Sequence, residues 1–382
     1  MRRKGHNTDG FTLVELMVSL AIGTLLLGSA VMMYRQAVNA TWVTSQKAEM
    51  QQDFRAAANL LQRDISLAGS GGLGQQGLAA NSTGLPTGAG SIIPVYPCSA
   101  TTCNYIKGAP VAFPTVAGAP YLYSIIPGYN LGITVNATEG PTDIITVAYA
   151  DTSLALNCYN ITVQSATQVL FQAPSSPLPT CVLPTGVSTI PLLNAAGIGL
   201  QAGDMILFGQ TAAGIVSNIT TATPTTGNSS AFTVTFNSGD PGHINQPTVA
   251  SGTMKQLPLG LSATLSAVRV MMITYYLDIS PVDGVTPRLM RIQSGKAPVP
   301  VAENVTYLKF SYDVDNGGTI NTNQASLPAG TTPNMITKVN ILHMSIRSQL
   351  QGGGYQGLDL QTSIGARNLT MGQEYPISGS SY

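Results

Sequence analysis

One carboxylate, Glu15, stands near the start of an otherwise uncharged run of 23 residues from Phe11 to Met33. An acid at the middle of a bilayer costs ~2.5–3.5 kcal/mol on insertion scales, so this one calls for a partner. Thr12-Leu13-Val14-Glu15 has the spacing of a capping box, in which the Glu reaches back to the amide of the capping Thr. A carboxylate in the first turn also complements the positive end of a helix. A second chemical feature lies just before it, at the Gly10-Phe11 junction. Cleavage there would remove the basic residues Arg2, Arg3 and Lys4 and leave the apolar run on the mature chain, unlike an ordinary secretory signal. A glycine without a side chain suits entry of the backbone into a peptidase cleft at the cytosolic face.

Other reactive side chains are scattered. Cys98, Cys103, Cys158 and Cys181 all lie beyond the apolar run, and an even count in a non-cytoplasmic region favours two disulfides. Three pairings exist, of which Cys98–Cys103 and Cys158–Cys181 are the most local. The paired two-residue spacings of a four-thiolate zinc site are missing. His6 lies in the leader, His343 alternates within a strand-like run, and His243 follows Asp240-Pro241-Gly242 in a turn. Asp313-Val314-Asp315-Asn316-Gly317 resembles the opening of a calcium loop, but Gln324 stands where an EF-hand carries its glutamate. The same residues make a good hairpin turn. No nucleophile elbow, paired-histidine zinc motif or phosphate-cradling loop occurs. The expectation is a non-enzyme with no catalytic site, no metal and no cofactor.

The elements that must position Glu15 follow from the pattern. At ~1.5 Å per residue, 23 residues make a helix about 35 Å long, enough for a hydrocarbon core of about 30 Å. The basic leader holds the N-terminus in the cytoplasm and sends the rest outward. Tyr34, Arg35 and Trp42 suit the far interface. Val43, Met50, Phe54, Ala57, Ala58, Leu61, Ile65 and Ala68 then recur at three- and four-residue steps, one apolar helix face. Arg55 and Asp64 are read as solvated faces of that helix, and Gly69-Ser70-Gly71-Gly72 as its stop. Charged residues make up 9% of the chain, while Gly (40) and Pro (24) are plentiful.

Leu73 to Pro127 reads as an irregular insertion. Strand-like runs follow at 144–149, 204–208, 232–236, 268–277, 288–293, 305–314 and 336–347, with hairpin signals at Val282-Asp283-Gly284 and Asp315-Asn316-Gly317-Gly318. The fold class is α+β: a long N-terminal helix, half transmembrane and half amphipathic, packed on a C-terminal antiparallel sheet with long loop insertions. Five segments result: a leader at 1–10, a membrane and assembly helix at 11–34, an amphipathic stalk at 35–69, a variable outer region at 70–255 and a β region at 256–382. Lys plus Arg number 17 and Asp plus Glu 17; without residues 1–10 the counts are 14 and 16, a net −2, and no basic stripe suits nucleic acid.

Gly10 followed by Phe11-Thr12-Leu13-Val14-Glu15-Leu16 resembles the class III leader of type IV prepilins and type II secretion pseudopilins. That resemblance implies a pilin-like fold, cleavage after Gly10, N-methylation of Phe11 by a prepilin peptidase, and pairing of Glu15 with the Phe11 amine of a neighbouring subunit. Major pilins mostly carry a helix-breaking proline in this run; here none precedes Pro86, although Gly23 and Gly28 add local freedom. Arg55-Ala56-Ala57-Ala58, Leu61-Gln62-Arg63-Asp64-Ile65, Tyr275-Tyr276-Leu277-Asp278 and Leu289-Met290-Arg291 resemble the PilW-type minor pilins. So do Val301-Ala302-Glu303-Asn304-Val305, Leu308-Lys309-Phe310-Ser311-Tyr312-Asp313 and Ala366-Arg367-Asn368-Leu369. The resemblance implies a minor pilin that primes type IV pilus assembly in a tip complex, with roles in twitching motility and adhesion. Its partners would be prepilin peptidase, the other major and minor pilins, and the inner-membrane assembly platform. It would sit single-pass in the inner membrane, its outer part periplasmic, before moving to the pilus surface. The alternatives are a type II secretion pseudopilin of the J type and an adhesin carried by the pilus.

Overall fold

The computed structural model describes residues 11–70, 115–116, 119–120 and 123–369, apart from 177, 180, 182, 184–185, 187–188, 191, 196–198, 210–213, 226–230, 239–244, 246–256, 262–264, 294–296, 332, 350–354 and 367. The leader with Gly10 and His6, the pair Cys98 and Cys103, and His243 lie outside the described residues. Helix α1 runs from Leu13 to Leu67, 55 residues without a proline. Its close is local chemistry: Gly69 takes a left-handed conformation (φ 78°) that a side chain would resist. The Gly69 amide then donates to the Ala148 carbonyl at 3.0 Å.

The strands, in chain order, begin with β1 (Thr115–Val116), β2 (Ala119–Pro120), β3 (Ile125–Gly128), β4 (Ile144–Asp151), β5 (Asn160–Ser165) and β6 (Gln168–Gln172). Next come β7 (Met205–Gly209), β8 (Gly214–Asn218), β9 (Thr221–Pro224), β10 (Ala231–Thr235), β11 (Gly260–Leu261) and β12 (Ser266–Ile279). The last are β13 (Pro287–Gln293), β14 (Val299–Glu303), β15 (Val305–Asn316), β16 (Thr319–Gln324), β17 (Ile336–Gln349) and β18 (Tyr355–Gly365). The expected α+β arrangement is present, a long helix followed by antiparallel strands, and among the described residues those strands form three larger sheets and the small β1-β2 pair. A seven-stranded sheet has the order β14-β13-β12-β4-β3, with β7 and β8 joined to the first half of β12. A five-stranded sheet runs β11-β5-β6-β10-β9, and a four-stranded sheet β16-β15-β17-β18.

β12 organises the first sheet. Its sequence, SAVRVMMITYYLDI, is rich in β-branched and aromatic residues, and most of its side chains on both faces are buried. It pairs antiparallel with β4, β7 and β13. Strands from the 70–255 and 256–382 segments therefore share one sheet. Two compact units divide the chain differently. One takes the helix up to Gln52 with Ser348–Gly357, and the other starts at Asp53 and holds the strands from β1 to Arg347 and Leu358 onward.

Two sequence expectations need correcting. The irregular stretch ends before Pro127, because Ile125-Ile126-Pro127-Gly128 forms β3 on β4. β3 ends the seven-stranded sheet, the place where a proline without an N–H is tolerated in a ladder. The β5–β6 hairpin was not anticipated either. Its turn has no glycine or proline signal; the Ser165 hydroxyl accepts from the Thr167 amide instead, at 3.2 Å. A separate core lies here, where Phe171 stacks on Phe208 at 6.3 Å and Phe208 meets Phe236 edge-on at 5.7 Å.

Candidate assembly site

At the start of α1 the capping geometry is complete. The Thr12 amide and hydroxyl donate to Glu15 Oε2 at 3.2 and 3.1 Å, and the Glu15 amide donates to the Thr12 hydroxyl at 3.3 Å. Phe11 is 79% exposed, and Leu13, Leu16, Leu20, Leu25 and Met32 all face outward. The helix is long and apolar enough to cross a membrane, and among the described residues nothing covers its apolar stretch. Its few polar groups are satisfied internally: the hydroxyls of Ser19, Thr24 and Ser29 donate to the carbonyls of Leu16, Ala21 and Leu26. Within one chain, then, the capping contact accounts for Glu15.

The other end of α1 holds a correction. Asp64 is not solvated; it is 1% exposed, at the edge of the buried face that carries Leu61, Ile65 and Ala68. Its Oδ2 accepts from the Tyr275 hydroxyl at 2.7 Å and from Arg291 Nε at 2.9 Å. Tyr275 on β12 and Arg291 on β13 are direct cross-strand partners, so the register delivers both donors to one point. Burial, then the Asp64 charge and hydrogen bond, push the Tyr275 hydroxyl far up, which keeps it a donor. Burial alone would lower Arg291, but Asp64 and Tyr275 outweigh it and the net shift is upward. Arg55, by contrast, is exposed as expected.

Two further charge clusters brace the sheets. Asp143, also buried, accepts from the Asn130 amide and Lys309 Nζ at 2.8 Å each and from the Phe310 amide at 3.0 Å, tying the seven-stranded sheet to β15. Lys309 also donates to Asn130 and sits 5.1 Å over the Tyr129 ring. Arg269 on β12 bonds Asp151 and the Gly199 carbonyl and stands 3.7 Å from Asp204. Burial pushes the Asp151 carboxyl up, but the Ser153 bonds and the Arg269 guanidinium bring it below the usual carboxylate value. Sequence reading assigned none of these roles. The available signal was a charge inside an apolar run, as in Val268-Arg269-Val270 and Leu289-Met290-Arg291-Ile292.

Asn368 closes the helix from the far end of the chain: its Nδ2 donates to the Ser66 and Ala68 carbonyls at 3.3 and 3.1 Å. Cys158 and Cys181 form a disulfide, joining residues 23 apart. Asp315 accepts from the Gly318 amide, and Gly317 and Gly318 have positive φ, so this loop is a hairpin turn. His343 lies exposed on β17 with Nδ1 2.8 Å from Asp359. Among the described residues no cluster of three His, Cys, Asp or Glu side chains could hold a metal ion.

Residues 5–31 match the prokaryotic N-terminal methylation motif. The chain thus carries the prepilin-type segment of type IV pilin-like proteins, the substrate of prepilin peptidases. Comparison with curated proteins and with solved structures gave no match.

Proposed function

We propose that the chain is a minor pilin of the PilW type that primes assembly of type IV pili. The methylation motif running straight into an uncovered apolar helix carries this reading. After cleavage at Gly10-Phe11 the helix leaves lipid for a bundle of like helices, and the outer sheets stay at the surface. Glu15 then exchanges its cap on Thr12 for the methylated amine of Phe11 in the next subunit, which sets the axial register. The chain acts by assembly, with no catalysis. The segments that resemble PilW also meet in space: Asp64, Tyr275 and Arg291 share one contact, and Asn368 caps the helix that carries Asp64.

Filament counts in a strain lacking the chain test the proposal, with about a tenfold or greater loss expected if priming fails by ~1.4 kcal/mol or more. Normal counts would reject priming. Normal filaments with failed protein secretion would move the chain to the secretion pseudopilins. Glu15→Ala should leave a membrane-inserted, cleaved chain beginning at Phe11, read by mass spectrometry, that fails to enter sheared filaments.

A further inference from the structure

A groove of about 540 Å3 lies between the outward face of the last turns of α1 and the end of β18. Asn59, Gln62, Arg63 and Ser66 line it from the helix, Thr362 and Ser363 from the strand. β18 ends its four-stranded sheet, so its outer edge carries no neighbouring strand among the described residues. Proteins guard such edges with charge, proline or cover. Tyr355–Gly365 has no proline and one charge, Asp359, which lies well before the groove and is engaged by His343. The groove is also electrically one-sided. No acidic residue lines it, and the Arg63 guanidinium makes no hydrogen bond or ion pair among the described residues. Asp64, next in sequence, is turned into the core and held by Arg291. Arg55, two turns earlier on the exposed side, adds a second cation.

A strand edge and a guanidinium that both lack a partner among the described residues fit one kind of occupant: an extended segment that adds main-chain hydrogen bonds and brings an acid. Of this chain's own edge strands, β16 reads Thr-Ile-Asn-Thr-Asn-Gln and has no carboxylate to offer, and β14 carries Glu303 but is interrupted by Pro300, which lacks the N–H a new ladder needs. We propose that the groove receives a carboxylate-bearing strand of a different filament subunit, laid beside β18 with its acid on Arg63. The proposal rests on the filament reading above and names the surface through which a neighbour is recognised.

The test uses the full-length chain in its own cells, with three readouts: the N-terminus of the mature chain, its share in sheared filaments, and crosslinks from a photoreactive residue at Gln62. Arg63→Glu should be cleaved normally and keep the Cys158–Cys181 disulfide, yet enter filaments about tenfold less than its parent. Arg63→Lys should retain most of the incorporation. The Gln62 crosslink should map to an acidic strand of another pilin subunit. Incorporation of Arg63→Glu at the parental level overturns the groove while leaving the filament reading intact, and so does a crosslink to a second copy of this chain. A parent chain that is cleaved but absent from filaments overturns both.

Discussion

Asp64 shows how a single carboxylate joins helix to sheet. Its Oδ2 takes both the Tyr275 hydroxyl and Arg291 Nε, and deleting one member of a buried pair leaves the rest unmatched. Asp64→Ala should cost about 3 kcal/mol, the low end for such pairs because Arg291 keeps some exposure. Tyr275→Phe removes one hydrogen bond and should cost about 1 kcal/mol. Urea unfolding of the detergent-solubilised chain measures both, and equal values would reject Asp64 as the hub. The Asp151–Arg269 pair predicts a pH effect. The folded carboxyl lies below its ordinary 3.8, so its contribution is present above that value and is lost as pH falls through the folded value. The stability gap between the parent and Asp151→Asn should therefore be flat from neutral pH to about pH 5 and close at more acidic pH. Glu15's capping partner was readable from Thr12 three residues before it. Asp64 was harder, because charge at one helical position reads as surface unless its donors, more than 200 residues away, are known.

At the scale of elements, α1 was legible from end to end: an unbroken apolar run, a three-and-four pattern and a glycine stop are local signals. β4, β7, β10, β12, β13, β15 and β17 were legible for the same reason, since β-branched runs between Gly, Asn and Asp turns announce themselves, whereas β14, with Pro300 inside it, and the polar β16 were not. The β5–β6 hairpin was not, because a serine hydroxyl does the turning that glycine usually does. Sheet membership was invisible throughout, as β12 takes its partners from residues 144–151, 205–209 and 287–293. The Cys158–Cys181 bridge pins the loop after β4 close to the Phe171–Phe208–Phe236 core. A closed loop of that length is worth about 3 kcal/mol in the chain-entropy account. Reductant, or Cys158→Ser with Cys181→Ser, should lower the denaturation midpoint by a corresponding amount. An unchanged midpoint would assign the bridge no role in stability.

For the molecule as a whole, the 70–255 segment is woven into the C-terminal β region and cannot be lifted out. β4 lies between β12 and β3, and its Ala148 carbonyl receives the Gly69 amide from the end of the helix. A chain lacking 70–255 should therefore lose protease resistance and cooperative unfolding, so adhesion has to be probed by surface substitutions and not by that deletion. The shared oxygen of Asp64 has a mechanical corollary. Tension that draws the helix away from β12 and β13 loads the Tyr275 and Arg291 links in parallel, since both end on one atom. The two links should therefore yield together, while the buried Leu61 and Ile65 and the Gly69–Ala148 hydrogen bond share the remaining load.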